Sequence, residues 1–521
     1  MYGWLKRRLA AHSLFVLCLI LFLTFLDNTV VSVVLANVQS NLAAGVQDLQ
    51  WIVDAYMLAF AVFMLSGGTL GDLLGRKKVM LSGVALFVAG SVVSMFAGSV
   101  DILIAGRAIM GLGAAASEPG TLSMIRQLYP SDRQRSRALG IWAAVSGIAL
   151  AFGPIIGGII IGFTSWRGVF AFGAIFGLIA LAFGWLFLPE SSDRDGRKLD
   201  LMGLTSGGIS ISALSVAVIM GENDGYSDPL IISLFVLSLI AMIAFILVEH
   251  KRKDPVLPLS FFKKLHFSLA NIVAFSANFG IFAVFFFVAL YLQFIAGFSG
   301  YMIALSFLAM TAAIVVAALI AGRLYALKRT LPMVIFGSLL SGGGTLILRH
   351  IINPNIGAGD LSWSLALTGI GFGILLVTMT STVLKVVTAK RSGMAASTVN
   401  TFRELGGVFG VAVLGSIVNA QLTGGMISKL KAFNLPTNFE SFIIYAITHG
   451  GHTPRGLHIT IAELAKHAAL INRVTQAAYD AFGRGLNIAL LLAGSLLLAL
   501  GAVTALIYIL RPKLRLVEAE D

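Results

Sequence analysis

The sequence predicts an all-α polytopic membrane protein of about fourteen transmembrane helices, and three observations carry that prediction. Of 521 residues, 58% are hydrophobic and only 12% are charged, more apolar side chain than a soluble core of this length can cover. Uncharged stretches recur that match or exceed the ~20 residues needed to cross a bilayer core. Basic residues collect in alternate short connections, the distribution that membrane insertion favours on the cytoplasmic side. The apolar runs are continuous rather than alternating, which excludes a β-barrel. A net charge of +13 would suggest nucleic acid in a soluble chain; here topology accounts for it, and no nucleic-acid partner is expected.

Taken in order, the apolar spans lie at roughly 14–36, 51–70, 79–99, 102–125, 138–161, 168–188, 201–220, 230–248, 267–294, 301–322, 331–350, 362–384, 394–418 and 485–510. The first begins like a signal peptide (Lys6, Arg7, Arg8, then Ser13 to Leu26), but its apolar run continues past Asp27 to about Ala36, so an uncleaved helix is expected. Spans two and three are joined by GTLGDLLGRKKVML, Gly68 to Leu81. Its charges abut hydrocarbon, which is costly unless a short loop holds them at the membrane surface. Clusters such as Arg133, Arg135 and Arg137, or Lys251, Arg252 and Lys253, follow the other even-numbered spans. The opposite connections 37–50, 221–228 and 295–300 contain no Lys or Arg, which places both termini in the cytoplasm. Segment 419–484 is too long for a simple connection, and its 459–483 part carries a helical apolar pattern, reading as an extracytoplasmic hairpin or amphipathic helix.

A faint internal repeat sets the domain organisation. Ala321 to Leu331 follows span ten as Gly68 to Leu81 follows span two, and Gly406 to Gly415 sits in span thirteen as a Gly-rich run sits in span five. The expected layout is an N-terminal six-helix bundle at 1–190, two inserted linker helices at 191–262, and a C-terminal six-helix bundle at 263–521. Two parallel repeats around a midplane cavity form a transporter architecture. No GxxxxGK[ST] phosphate loop is present, so no built-in ATP motor is expected. The single cysteine, Cys18, rules out an intrachain disulfide, and the His449-Gly-Gly-His452 run reads as a loop feature rather than a metal site.

Several motifs carry a family resemblance. Gly68, Leu70, Asp72, Gly75, Arg76, Lys77 and Leu81 resemble the loop signature of the major facilitator superfamily, with Leu73 where the family often has Arg. Leu26 to Val38 is similar to the first-helix motif of the drug:proton antiporters, through Asp27 and Thr29. Leu103 to Ala115 resembles their fourth-helix motif, through Arg107, Gly111 and Gly113, with Met110 replacing the common Gln. Gly140 and then Gly153, Pro154, Gly157 and Gly158 resemble the fifth-helix antiporter motif, although Ala149 replaces one of its glycines. With about fourteen spans, the chain resembles the 14-helix drug:proton antiporter family, and Asp54 points to its exporters of quaternary-ammonium and other cationic drugs, the QacA type. The resemblance implies the major facilitator fold, bending and leak-tightness at Pro154 and Gly158 within the motif Gly153, Pro154, Gly157 and Gly158, and a conformational latch at Gly68, Asp72, Gly75, Arg76 and Lys77. Asp72 would pair with a basic residue such as Arg126, while Arg76 to Lys78 would rest on the lipid surface.

The ionisable residues within the spans make the bottom-up case, because a charge at bilayer depth costs several kcal/mol and marks function by default. Asp27, Asp54 and Arg107 fall at similar depth in the outer half, close enough to interact. A carboxylate that alternately meets and leaves Arg107 has a physical way to bind and release a proton. Glu118 lies eleven residues after Arg107, about three turns deeper on the same face, and suits a cationic substrate or a second proton. Arg403 and Glu404 fall near the midplane of span thirteen; adjacent helical residues face apart, so separate partners are expected. Phe282, Phe285, Phe286, Phe287, Met302 and Met310 offer an adaptable apolar lining, against the alternative of lipid or core contact.

These readings converge on a multi-pass protein of the bacterial inner membrane, exporting amphipathic cationic or neutral compounds in exchange for protons. It would need no cofactor and break no bond. Its partners would be the substrate, protons and the bilayer, with a monomer expected and envelope proteins as the one further class of partner. Two alternatives stay open: a dedicated exporter of one endogenous metabolite, antibiotic or lipid, and a non-transporting membrane sensor.

Overall fold

A computed structural model of the chain describes residues 2–44, 46–191, 200–252, 255, 257, 259–298, 300–325, 330–357, 359–387, 391–432 and 468–510. Among the described residues the protein is all helical. Its helices are α1 (Tyr2–Leu42), α2 (Val46–Leu74), α3 (Arg76–Met95), α4 (Val100–Leu128), α5 (Asp132–Phe163), α6 (Arg167–Phe187), α7 (Leu201–Asp224) and α8 (Pro229–Lys251). A short 3-10 turn (Leu259–Lys263) leads into α9, which runs from Leu265–Ala283 through a π-helical turn at Val284–Val288 to Ala289–Phe294. The last five are α10 (Gly300–Tyr325), α11 (Thr330–Ile351), α12 (Ser362–Val386), α13 (Ser392–Ala432) and α14 (Ala468–Leu510). Twelve of these helices are long and apolar enough to cross a membrane; α2 and α5, each bent by more than 40°, bring the number to fourteen.

Helix starts follow local chemistry. Ser99 caps α4 by accepting from Ile102 N, Asp200 caps α7 through Gly203 N, and Asp228 caps α8 through Leu230 N with Pro229 at the first helical position. Gly75 turns the chain between α2 and α3 at φ 116°, a conformation that a side chain resists.

The first six helices pack among themselves, α2 and α3 against α4, and α1 against α5 and α6. The last six do likewise, α9 against α12 and α13, and α11 against α12 and α14. A Cβ at Gly153 would collide with Thr29 and Val30 of α1, and Cβ atoms at Gly406 and Gly410 would collide with Phe275 and Phe279 of α9. Thus α5 closes on α1 in the same way that α13 closes on α9, by removing side chains where the backbones meet. Across the seam between the two sets, α2 and α4 meet α13, while α5 meets α10 and α12. Helices α7 and α8 pair with each other, and α7 leans on α2 and α13 at that seam.

Two expectations change. The amphipathic stretch expected at 459–483 is not a separate element in its described part: residues 468–483 are the leading turns of the 43-residue α14, continuous with the last span. Likewise α13 extends for 41 residues, well beyond its apolar stretch, because its end from about Gly424 is polar enough to hide from a hydropathy reading. Residues 433–467, which hold the rest of the segment expected to be extracytoplasmic and the His449-Gly-Gly-His452 run, lie outside the described residues, as do Arg194, Lys253, Lys390 and the basic C-terminal residues.

Candidate functional site

Two buried arginines organise the middle of the molecule. Arg107 on α4 is 1% exposed and forms an ion pair with Asp27 on α1. Its Nε donates to the backbone carbonyl of Ile52 on α2 at 2.9 Å, and its guanidinium lies over the Tyr56 ring, 4.5 Å from the centroid. Tyr56 in turn donates its hydroxyl to the carbonyl of Thr24 on α1 at 3.0 Å. One guanidinium therefore ties α1, α2 and α4 together through a carboxylate, a carbonyl and an aromatic face. A charge so far from water needs such compensation, since a lone buried ion would cost far more than the pair.

The second arginine, Arg403 on α13, also 1% exposed, joins the two sets of helices. Its Nη2 donates to Glu118 Oε1 on α4 at 2.5 Å and to Glu404 Oε1 at 3.0 Å, and its Nε donates to Glu404 at 3.2 Å. Its guanidinium lies over the Phe25 ring of α1, 4.7 Å from the centroid. Phe25 meets Trp142 of α5 edge to face at 6.4 Å, and Trp142 Nε1 donates to Thr121 Oγ1 at 3.0 Å. Thr121 donates to the Glu118 carbonyl at 2.6 Å, so the tryptophan holds the turn of α4 that presents the glutamate. Glu118 Oε2 and Arg403 Nη1 are buried with no hydrogen-bond partner among the described residues.

At one end of the seam, Asp72 accepts from Arg76 Nη2 at 2.6 Å and Nε at 2.9 Å, and from the backbone N–H of Met394 in the first turn of α13 at 3.1 Å. The carboxylate thus sits where the helix offers unpaired N–H groups and a partial positive charge. Glu190 accepts from the Lys77 N–H at 3.2 Å, and Lys77 Nζ donates to the Trp185 carbonyl at 2.8 Å, fastening the α2–α3 turn to the end of α6. Gly68 is buried on α2 just before this turn.

The structure brings Asp27 to Arg107 and Glu118 to Arg403 and Glu404, and it corrects four expectations. Arg403 and Glu404 pair with each other rather than taking separate partners, because the long arginine side chain folds back to reach its neighbour. Asp72 pairs with Arg76, not Arg126, whose Nη1 is buried without a hydrogen-bond partner among the described residues. Arg76 is 1% exposed and serves that pair rather than the lipid surface. Asp54 is half buried on α2 and makes no hydrogen bond or ion pair with Asp27 or Arg107 among the described residues; Arg107 takes the nearby Ile52 carbonyl instead. The Gly153-Pro154 step bends α5 by 42° without ending the helix. Gly153 and Gly157 are buried, whereas Gly158 is exposed with open space at its Cα. Among the described residues, no cluster of metal-binding side chains occurs. Sequence reading missed Phe25, Trp142 and Glu190, and gave Tyr56 no role.

A family model described as Major Facilitator Superfamily matches residues 17–411. The chain belongs to the major facilitator superfamily. Members of that superfamily are membrane transporters, and this one is a multi-pass membrane protein of that kind. The methylenomycin A resistance protein of Bacillus subtilis (strain 168) is 31% identical over 410 residues, covering 79% of this chain and 88% of that protein. The multidrug resistance protein Stp of Mycobacterium tuberculosis (strain CDC 1551 / Oshkosh) is 29% identical over 473 residues, covering 91% of this chain and 87% of its own. Among solved structures, the superfamily's proton:xylose symporter XylE superposes with a TM-score of 0.57 at 14% identity, covering 93% of this chain and 95% of that one, a likeness of fold.

Proposed function

We propose that this protein exports amphipathic organic compounds, cationic or neutral, across the bacterial cytoplasmic membrane in exchange for protons. The carrying observation is the buried charge core, in which Asp27 and Glu118 are each neutralised by an arginine, the second of them from across the seam. A carboxylate released from its arginine takes up a proton or a substrate cation, and competition between the two couples their movements. The drug- and antibiotic-resistance names of the relatives support the cargo class. Both termini lie in the cytoplasm on this reading, the protein acts as a monomer, and no cofactor is needed beyond the proton gradient. The α2–α3 turn then faces the cytoplasm, and the Asp72–Met394 contact shuts the seam on that side.

The test is efflux from energised cells and inverted vesicles. Asp27→Asn is expected to abolish efflux driven by the proton gradient while the protein stays in the membrane at its normal level. Full efflux by that variant would overturn the proposal. The single-compound name of the methylenomycin relative favours a narrower cargo. A toxicity screen in an efflux-deficient host separates the two readings: protection against one compound supports the narrower, protection against many the broader.

A further inference from the structure

Arg107 and Arg403 sit in the same chemical setting, a guanidinium held on an aromatic face and against a carboxylate. They differ in what happens when the molecule changes shape. Arg107, Asp27 and Tyr56 all belong to the first six helices, so the seam can open without parting them. Phe25 and Glu118 belong to those helices too, but the cation resting on them, Arg403, belongs to α13 on the other side. Opening the seam withdraws the guanidinium and leaves its cradle behind.

We propose that Arg403 is a tethered occupant of a cation subsite formed by Phe25 and Glu118, and that a planar or quaternary organic cation takes its place during the cycle. The subsite has a π-face, which attracts any desolvated organic cation, and a carboxylate, which fixes its charge. Trp142 and Thr121 hold both parts from behind, so the cradle keeps its shape when the arginine leaves. Glu118 Oε2, buried and unpartnered among the described residues, gives the carboxylate a second acceptor for an incoming N–H group. Phe25 is thereby a specificity residue, discriminating cations from neutral compounds of equal size. Arg403 sets the threshold affinity, because a guest must outcompete it.

This inference rests on the export reading for its cargo but is tested apart from it, by equilibrium binding to the purified protein with no gradient. The probes are ethidium, a planar monocation, followed by fluorescence polarisation, and the neutral dye Nile red. Phe25→Leu is expected to weaken ethidium roughly 5- to 30-fold, the span of a buried cation–π contact, and to leave Nile red unchanged; Phe25→Trp is expected to restore ethidium binding. Arg403→Gln, which removes the tethered competitor, is expected to bind ethidium more tightly than the parent. Unchanged ethidium binding in Phe25→Leu, equal loss of both probes, or no ethidium binding by the parent would each overturn the proposal. Should Arg403→Gln fail to fold, as judged by its thermal unfolding, the Phe25 pair decides alone. If Asp27→Asn retains full efflux while Phe25→Leu behaves as stated, the coupling scheme fails and the cradle stands.

Discussion

Arg107 is held by three different kinds of contact, and the protein relies on all of them to keep a full charge away from water. Removing one member of such a pair strands the other. Arg107→Ala is therefore expected to destabilise the folded protein by about 3–5 kcal/mol, visible as a lower thermal midpoint in detergent. The double variant Asp27→Asn with Arg107→Gln removes both charges and is expected to recover most of that stability while leaving transport lost. Recovery of transport would show that the pair is only a structural tie. At this scale the sequence was informative where a residue broke its surroundings: Asp27, Arg107 and Glu118 stand out because they interrupt apolar runs. Phe25 and Tyr56 do not stand out, since aromatic rings are ordinary in a chain with 36 phenylalanines. Nor does adjacency reveal that Arg403 can fold back on Glu404.

The bend in α5 shows how a helix is shaped by what it touches. At Gly153 a side chain would strike Thr29 and Val30, and Thr29 Oγ1 donates to the Leu150 carbonyl at 2.9 Å, one turn before the bend. Gly153→Val is expected to push α1 and α5 apart, costing about 1–3 kcal/mol as overpacked cores do. Gly158→Ala meets open space and is expected to leave the thermal midpoint unchanged, within about 0.5 kcal/mol. Comparing the two unfolding curves checks both; equal destabilisation would contradict the packing account. Most helices were legible from hydropathy, because the bilayer demands a run of fixed length. The ends of α13 and α14 were not, since a helix outside hydrocarbon needs no apolar run to persist.

Across the whole molecule, the seam is what no local reading could supply: Glu118 and Arg403 are 285 residues apart, and nothing in either span names the other. The seam also closes tightly between α5 and α10, where a Cβ on Gly140 would lie 3.3 Å from the Cα of Gly322. Gly322→Val is expected to wedge this contact and disfavour the closed arrangement. A cysteine introduced at Asn400, fully buried beside the Arg403 turn, should then react faster with a small maleimide in the wedged protein than in the parent. Equal labelling rates would mean that this contact does not control access.

The central charges also carry an electrical consequence. Asp27, Arg107, Glu118, Arg403 and Glu404 together hold two positive and three negative formal charges, so the vacant core bears one net negative charge. Loading it with a single proton or a single monovalent cation makes it neutral. A membrane voltage acts on the charged, vacant carrier with about 2.3 kcal/mol per 100 mV for a full traversal, and has no purchase on the loaded one. Because an exchanger crosses only when loaded, trading one proton for one monovalent cation is electrically silent, whereas a neutral compound leaves the core its negative charge and would be driven outward by an interior-negative potential.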